Sequence, residues 1–395
     1  MDIDEVKKNK WFLFEYVHDC PIWLAWDPFM AYAKYLPQEF GIGVNGGLHM
    51  YKNGDLLMCF DKKGFDEAGK KILDKIREGP KYLSDVLDKI ENLSHQLFTI
   101  CSEMREYDYS KYTNKELLKI YNHFFEVYVP VWSYGQLVNI LEMNNSLVVG
   151  YTKSLIEQSG IVGGDAVEVL SVLSKFEKYG FAQKEEVELI AMAKNGYTKD
   201  ELNNHCEKYS SIGYGWSGPA WQLDYFKDRL GLIKKDINSY KIKEEGEHER
   251  EILDEKEVVI KKYNLKKNLL DYTKLLERIG HLKGLRVDAS FFSYQTMEKF
   301  LKEVGKRCEL SYKQAQFILP DEMREYLDVG SIPDVHHLNE RMKLSAFVVD
   351  GDSYNEIQGE VVNEFIELVE PEDNRVETDR LEGEVGNPGQ AVGIV

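Results

Sequence analysis

The segment with the most varied side-chain chemistry lies between positions 205 and 226 and contains His205, Tyr209, Trp216, Trp221 and three glycines. Histidine and tyrosine can hydrogen-bond a ligand, and indole rings can form the apolar wall of a small-molecule pocket. The same aromatic rings can instead fill the core between helices, as buried aromatic residues most often do. The residue types alone leave both interpretations open.

Two arginines, Arg286 and Arg341, are candidates for binding a phosphate or carboxylate group. A guanidinium presents a planar fork of donors that fits such anions, although either arginine could instead be a surface charge or pair two helices. Neither shows a pattern typical of a catalytic residue. The substrate-binding set predicted from the sequence is His205, Tyr209, Trp216, Trp221 and Arg286, and no catalytic residue is predicted.

Other motifs argue against nucleotide and metal chemistry within this chain. Residues 64–71 nearly spell a phosphate-binding loop, but Lys71 replaces the Ser or Thr that would hold Mg²⁺. Asp66 and Glu67 would also place negative charge inside the cradle. His336 and His337 are adjacent, so they point in different directions, and no HExxH or paired CxxC spacing exists. We therefore predict no metal site and no bound cofactor in this chain.

The composition narrows the class of partner. The chain has 395 residues and a net charge of −18, which disfavours nucleic acid and anionic membranes as partners. No stretch approaches the ~20 apolar residues of a membrane span. Five cysteines without a CxxC pair fit a reducing compartment. These features predict a cytoplasmic protein with neither a nucleic-acid nor a membrane partner.

The N-terminal segment, residues 1–65, carries the signals of a β-meander. Apolar runs at 40–44, 48–51 and 56–60 are separated by Asn-Gly pairs at 45–46 and 53–54. Asn-Gly suits the two positive-φ positions of a type I′ turn, which joins antiparallel strands. Three short strands are predicted here.

Residues 66–345 have the periodicity of long helices. Apolar residues between positions 83 and 104 are spaced alternately three and four apart, which predicts a helix packed along one stripe. Capping boxes begin at Thr113 and Thr198. Pro130 is expected to end one helix, and Gly280 to separate a charged helix from the next one. The predicted fold class is mainly α: a long-helix bundle with a small N-terminal antiparallel β-meander.

The last fifty residues differ in character. Thirteen acidic and two basic residues lie between positions 350 and 384, and we predict an exposed acidic connector over 346–380. Residues 381–395 combine strand-forming residues with turn glycines. They are predicted to begin a truncated C-terminal α/β domain.

The order of these landmarks resembles the helical linker of phosphoenolpyruvate-utilising enzymes, which include phosphoenolpyruvate synthase and rifampin phosphotransferase-like proteins. The resemblance covers the chain from about Phe40 onward, and 381–395 looks like the entry to that family's swivelling phosphohistidine domain. The residues that carry it are His205, Lys208, Tyr209, Trp216, Trp221, Phe226, Arg286, Phe291, Phe292, Leu310, Ser311, Tyr312, Leu319, Pro320, Asp321, Glu322, Tyr326, Leu327 and Arg341.

The resemblance implies a function for a larger assembly. In that family an ATP-grasp domain, using ATP and Mg, phosphorylates a histidine in a Gly-Gly-x-x-Ser/Cys-His-x-Ala motif on a mobile domain. That domain then delivers the phosphoryl group to pyruvate or another small-molecule acceptor. This sequence contains neither part, so the phosphohistidine is expected beyond Val395, with the ATP-grasp and phosphohistidine domains in cis or on another chain.

The expected role is therefore a linker or scaffold portion of a phosphotransferase, inactive when alone. Two alternatives stay open: a stand-alone helical module that binds a small molecule, and a scaffold subunit of a split complex.

Overall fold

A computed structural model describes residues 3–44, 46–143, 146–240 and 243–369, with side chains from Val6 onward. The described chain is mostly helical and contains one small antiparallel sheet, which confirms the predicted fold class. The expected start of a C-terminal α/β domain, at 381–395, lies outside the described residues.

Five strands form the sheet in the order β1-β3-β2-β4-β5, and every neighbouring pair is antiparallel. The first three strands lie near the N-terminus and the last two near position 350, so the sheet joins both ends of the described chain. The strands are β1 Trp11–Val17, β2 Gly47–Lys52, β3 Asp55–Asp61, β4 Leu344–Asp350 and β5 Ser353–Gln358.

The predicted meander is partly confirmed. Asn53 and Gly54 both have positive φ, 55° and 93°, and join β2 to β3 in a two-residue turn as expected. The strand predicted at 40–44 is wrong, because a helix ends at Phe40 and Gly41 leaves it in the left-handed conformation. The strand that completes this part of the sheet is β1, which pairs with β3.

The helices account for most of the remaining chain. They are α1 Ile3–Lys8, α2 Ile22–Met30, α3 Leu36–Phe40, α4 Lys62–Glu78, α5 Lys81–Met104, α6 Asn114–Glu142, α7 Leu147–Gln158, α8 Gly164–Leu173, α9 Phe181–Asn195, α10 Lys199–Tyr209, α11 Leu223–Lys235, α12 Glu245–Tyr263, α13 Lys267–Arg307, α14 Tyr312–Ala315, α15 Pro320–Val329, α16 Val335–Lys343 and α17 Val361–Val369.

Helices α5, α6 and α13 form the centre of the bundle. The predicted stripe on α5 is largely confirmed, because Leu83, Val86, Ile90, Leu97 and Met104 are all buried. The capping boxes at the starts of α6 and α10 are also present. The apolar stripe of α5 therefore packs against α6 and α13 of the same chain.

Two predicted helix ends are wrong. Pro130 lies inside α6, where its buried neighbours Tyr128, Val131 and Trp132 hold the helix together through packing. Gly280 lies inside α13, and a Cβ there would stand 2.5 Å from the Phe176 ring, so this glycine permits close packing and does not break the helix.

The acidic connector predicted for 346–380 is wrong over 346–369. This part forms β4, β5 and α17, and Ala346, Phe347, Val348 and Val349 are buried in the sheet. The acidic residues begin at Asp350, directly after these apolar positions, so the net charge of the segment did not reveal the strand. Residues 370–380 lie outside the described residues.

Both faces of the sheet are covered. Tyr51, Phe60 and Phe347 belong to the large core under α2 and α4, whereas Leu48 and Val348 pack against α17. This burial explains the almost uninterrupted apolar runs of β2 to β4. Within the described residues, no helix is both long and apolar enough to cross a membrane.

Candidate functional site

The structure divides the five predicted site residues into two groups. Tyr209 and Trp221 belong to one apolar cluster among α9, α10 and α11, and the His205 ring contacts Tyr209 there, with centroids 4.8 Å apart. Trp216 and Arg286 instead lie at the contact between α6 and α13. The predicted set therefore does not form one site, and each group is considered by its own chemistry.

The His205 group is a closed network of ion pairs. The imidazole is fully buried, with Nε2 3.3 Å from Glu185 Oε1 and Nδ1 3.5 Å from Glu188 Oε2. Arg229 pairs with Glu185 at 2.6 Å, and the Tyr209 hydroxyl donates to Glu188 at 2.7 Å. Nδ1 makes no hydrogen bond, but Glu185, Glu188 and Arg229 are all paired and the imidazole has no solvent contact, which favours a structural role for His205 and Tyr209.

Trp221 supports the same small unit. Its indole stacks on Tyr225 with ring centroids 4.3 Å apart. Gly213 leaves the space that this indole occupies, since a Cβ there would stand 2.0 Å from the ring. The core-packing interpretation therefore fits Trp221 better than the pocket-wall interpretation.

Arg286 is different because its guanidinium forms no ion pair with a described carboxylate, and Glu15 acts on it only from beyond ion-pair distance. The residue is 4% exposed, and its guanidinium lies over the Trp132 ring, 4.6 Å from the centroid. Nη2 is 3.4 Å from Asn139 Oδ1. Among the described residues, Nη1 has no hydrogen-bond partner and no carboxylate oxygen lies within 4.0 Å of the guanidinium. Burial lowers the pKa of Arg286.

Aromatic and amide side chains surround the guanidinium. Trp216 stacks on Tyr294 at 5.5 Å and lies 6.0 Å from Trp132. On α6, Asn139 Nδ2 donates to Gln136 Oε1 at 2.6 Å. The Tyr32 hydroxyl donates to the same Gln136 oxygen at 2.7 Å. These groups hold the arginine in place without neutralising it.

Sequence reasoning missed the α6 side of this cluster. Trp132, Gln136 and Asn139 follow one another at spacings of four and three, so they share one helix face. Polar residues at helical spacing within an apolar stretch were the available signal. Because a helix was expected to end near Pro130, residues 132–139 were not assigned to one helix and their shared face was not recognised.

Burial shifts the pKa of three further titratable groups around Arg286, one of them its neighbour Lys283. Lys283 lies one turn before Arg286 on α13, and both burial and the Arg286 charge lower its pKa. Burial raises the pKa of Glu142 to about 7. Burial also raises the pKa of Glu15, an effect that the Arg286 charge opposes. Burial thus disfavours the charged form of both carboxyl groups, and equally that of Lys283 and Arg286.

The space beside Arg286 is narrow. It measures about 180 Å³, has no room for a water-sized molecule, and is bordered by Leu87, Ile90, Gly135 and Lys283 among others. Ligand access to Nη1 requires the surrounding side chains to move.

Arg341 is fully engaged in ion pairs. It donates to both Glu322 oxygens at 2.7 and 2.8 Å and to Glu356 at 2.9 and 2.7 Å. The alternative of a charge that pairs structural elements is therefore the one that fits, since no donor fork is left for a phosphate. It joins α15, α16 and β5.

The phosphate-loop-like segment and the candidate metal ligands do not form a cofactor site among the described residues. Residues 64–71 lie within α4, so they form no loop around a phosphate. In the part of the chain that the structure describes, no three His, Cys, Asp or Glu side chains are placed to hold a metal ion.

Comparisons of the chain with protein-family models, with curated proteins and with solved structures found no match. The resemblance to phosphoenolpyruvate-utilising enzymes therefore rests on the order of residues in the sequence.

Proposed function

We propose that this chain is the helical linker or scaffold portion of a cytoplasmic phosphotransferase of the phosphoenolpyruvate-utilising type. Arg286 recognises the phosphoryl or carboxylate group of a small-molecule substrate. The carrier histidine and the ATP-grasp domain, which uses ATP and Mg, belong to other domains in cis or on another chain. The observation that carries the proposal is the buried guanidinium without a carboxylate partner.

The physical argument is one of desolvation. Removing a cation from water costs several kcal/mol unless an opposite charge and hydrogen bonds replace the water. Stacking on Trp132 and one long contact to Asn139 replace only part of the lost hydration of the Arg286 guanidinium. A bound phosphoryl or carboxylate group would supply two charge-assisted hydrogen bonds to the planar fork.

Isothermal titration of the full chain with phosphoenolpyruvate tests this role. The variant Arg286→Gln should bind phosphoenolpyruvate at least about tenfold more weakly than the wild type, because charge-assisted bonds are lost. Arg250→Gln is the matched control, since Arg250 is exposed and donates to the Gly246 carbonyl within its own helix. Equal affinity of the wild type and Arg286→Gln would refute the assignment.

The scaffold role has a separate test. The chain incubated alone with labelled ATP or labelled phosphoenolpyruvate should acquire no label. Stable incorporation of phosphate into the chain would contradict the proposal that the carrier histidine lies elsewhere. Co-purification with an ATP-binding protein would identify the arrangement as a split complex.

A stand-alone binding module is the second candidate, and the position of Trp216 favours it. This partly exposed indole contacts Trp132 and Tyr294, so a ligand near Arg286 would change its fluorescence. Quenching by an apolar ligand that carries no anionic group, lost in Trp216→Ala, would support this alternative. Quenching by phosphoenolpyruvate alone would support the phosphotransferase proposal.

A further inference from the structure

A second cavity lies outside the Arg286 cluster, between a loop and one face of α13. It measures about 550 Å³, within the size range of small-molecule sites. The loop contributes Ser217, Gly218, Pro219, Ala220 and Gln222. The opposite wall consists of Gln295, Glu298, Lys299 and Lys302, and Tyr312 of α14 completes the lining.

The loop is held in place by contacts within the protein. The Gly218 amide donates to the Tyr214 carbonyl at 2.7 Å, and the Trp221 amide donates to Ser210 at 3.1 Å. The hydroxyls of Tyr214 and Tyr312 are 3.1 Å apart. Because the cavity walls are tied together at both ends of the loop, little ordering is needed when a ligand binds.

The charged groups of the cavity are mainly cationic. Lys302 pairs with Glu298, the one carboxylate in the lining. The Lys299 ammonium donates to the Arg105 carbonyl at 3.0 Å, and none of the described carboxylate oxygens lies within 4.0 Å of it. Two ammonium groups and one carboxylate leave an excess positive charge, in a protein whose net charge is −18.

Arg105 adds positive charge behind the wall. Its guanidinium donates to the side chains of Gln295 at 2.5 Å and Thr296 at 3.2 Å and to the Glu207 carbonyl at 2.8 Å. All three acceptors are neutral, and the Glu207 carboxylate acts on Arg105 only from beyond ion-pair distance, so the arginine keeps part of its field. The field in the cavity therefore attracts anions.

The apolar part of the lining indicates the rest of the ligand. Pro219, Ala220 and the Tyr312 ring offer hydrocarbon and aromatic surface beside the lysines. We propose that this cavity binds a small phosphorylated molecule with an apolar or aromatic body, its phosphate on Lys299 and Lys302 and its body against Pro219 and Tyr312. The site goes beyond the proposed function, because it uses none of the residues around Arg286.

Calorimetric titration of the full chain with phenyl phosphate tests the proposal. The double variant Lys299→Gln/Lys302→Gln should weaken binding at least about tenfold, because two charge-assisted contacts are lost. Lys306→Gln is the matched control, since Lys306 is exposed on the same helix outside the cavity. Glu298→Gln should strengthen binding about two- to fivefold by removing the opposing charge.

Phenol and inorganic phosphate serve as separate probes of the two halves. Phenyl phosphate should bind more tightly than either, and the double variant should reduce its affinity to that of phenol. The proposal is overturned if the wild type does not bind phenyl phosphate at millimolar concentration, or if the double variant binds it unchanged. Arg286→Gln separates the two sites, because a loss of affinity in that variant alone would place the ligand at Arg286.

Discussion

Gly135 on α6 lies directly beneath the Arg286 guanidinium of α13. A Cβ built at position 135 would stand 2.4 Å from Nη1 and 2.5 Å from Cδ of Arg286. The absence of a side chain on one helix therefore creates the space for a charged side chain on the other. This pairing fixes the position of the one buried guanidinium to which we assign recognition.

Gly135→Ala should destabilise the protein even though alanine favours helices. The added methyl group collides with a guanidinium that is packed against Trp132 and has little freedom to retreat, so the cost should be about 1–3 kcal/mol. Urea unfolding at pH 7 measures it. Gly150→Ala is the control, because Gly150 lies in α7 with nothing within 4 Å of its Cβ position. It should stabilise by about 0.5–1 kcal/mol, and equal effects of the two variants would contradict the packing argument.

Arg341→Ala should be the most destabilising of these substitutions. It leaves Glu322 and the partly buried Glu356 without their cation and removes the link among α15, α16 and β5. Breaking a buried ion pair in this way costs about 3–5 kcal/mol. Thermal unfolding followed by circular dichroism measures the loss.

Lys81→Ala provides the comparison for Arg341→Ala. Lys81 pairs with Asp85 one helical turn away, and both side chains face solvent. Its removal should leave the unfolding midpoint unchanged within error, because exposed pairs contribute little. If both variants unfold at the same temperature, the Arg341 network does not connect the three elements.

His205→Leu should separate a structural role from a binding role. The substitution removes the buried partner of Glu185 and Glu188, so stability should fall by about 1–3 kcal/mol. Phosphoenolpyruvate affinity should stay that of the wild type, since His205 and Arg286 belong to different clusters. A weakened affinity without loss of stability would restore His205 to the site. His123→Leu, at an exposed position, controls for the loss of an imidazole.

Local signals in the sequence predicted local structure well. The Asn53-Gly54 turn and the capping boxes at Thr113 and Thr198 depend on residues within four positions of one another, and all three are present. The stripe on α5 also depends on a short repeat. These features could be predicted without knowing which elements pack against them.

Long-range pairing explains the errors. Strand β1 lies about forty residues before its partner β3, and β4 reaches β2 from almost three hundred residues away. The acidic character around β5 concealed this pairing, because net charge describes a segment and burial is decided residue by residue. Pro130 and Gly280 were read as helix breakers, whereas tertiary packing carries α6 and α13 through both positions.

The candidate site was predicted only in part for the same reason. Arg286 was predicted as a site residue from its residue type alone. Its distinguishing features are the absence of an ion pair with any described carboxylate and the contacts with Trp132 and Gly135. These become visible only when α6 and α13 are placed together. Tyr312 of α14 and Lys299 of α13 likewise line the second cavity together, although neither is close to the other in the sequence.

Glu142 at the end of α6 should make stability depend on pH. Burial raises its pKa from 4.5 in the unfolded chain to about 7 in the folded protein. Below pH 4.5 the Glu142 carboxyl is protonated in both the folded and the unfolded state, so it does not lower the free energy of unfolding. As the pH rises, the unfolded chain ionises first and stability falls, until both states are ionised above about pH 7.

Glu142→Gln should remove this dependence. The variant keeps an oxygen that can accept from the Val148 amide, as Glu142 does at 3.2 Å. Its free energy of unfolding relative to the wild type should therefore rise between pH 5 and pH 8 by up to about 3 kcal/mol. Glu126→Gln, at an exposed position on the same helix, should give no such rise. A constant difference between Glu142→Gln and the wild type over this range would show that the Glu142 carboxyl ionises as readily in the folded protein as in the unfolded chain. It would then place a negative charge beside Lys283 across the whole range.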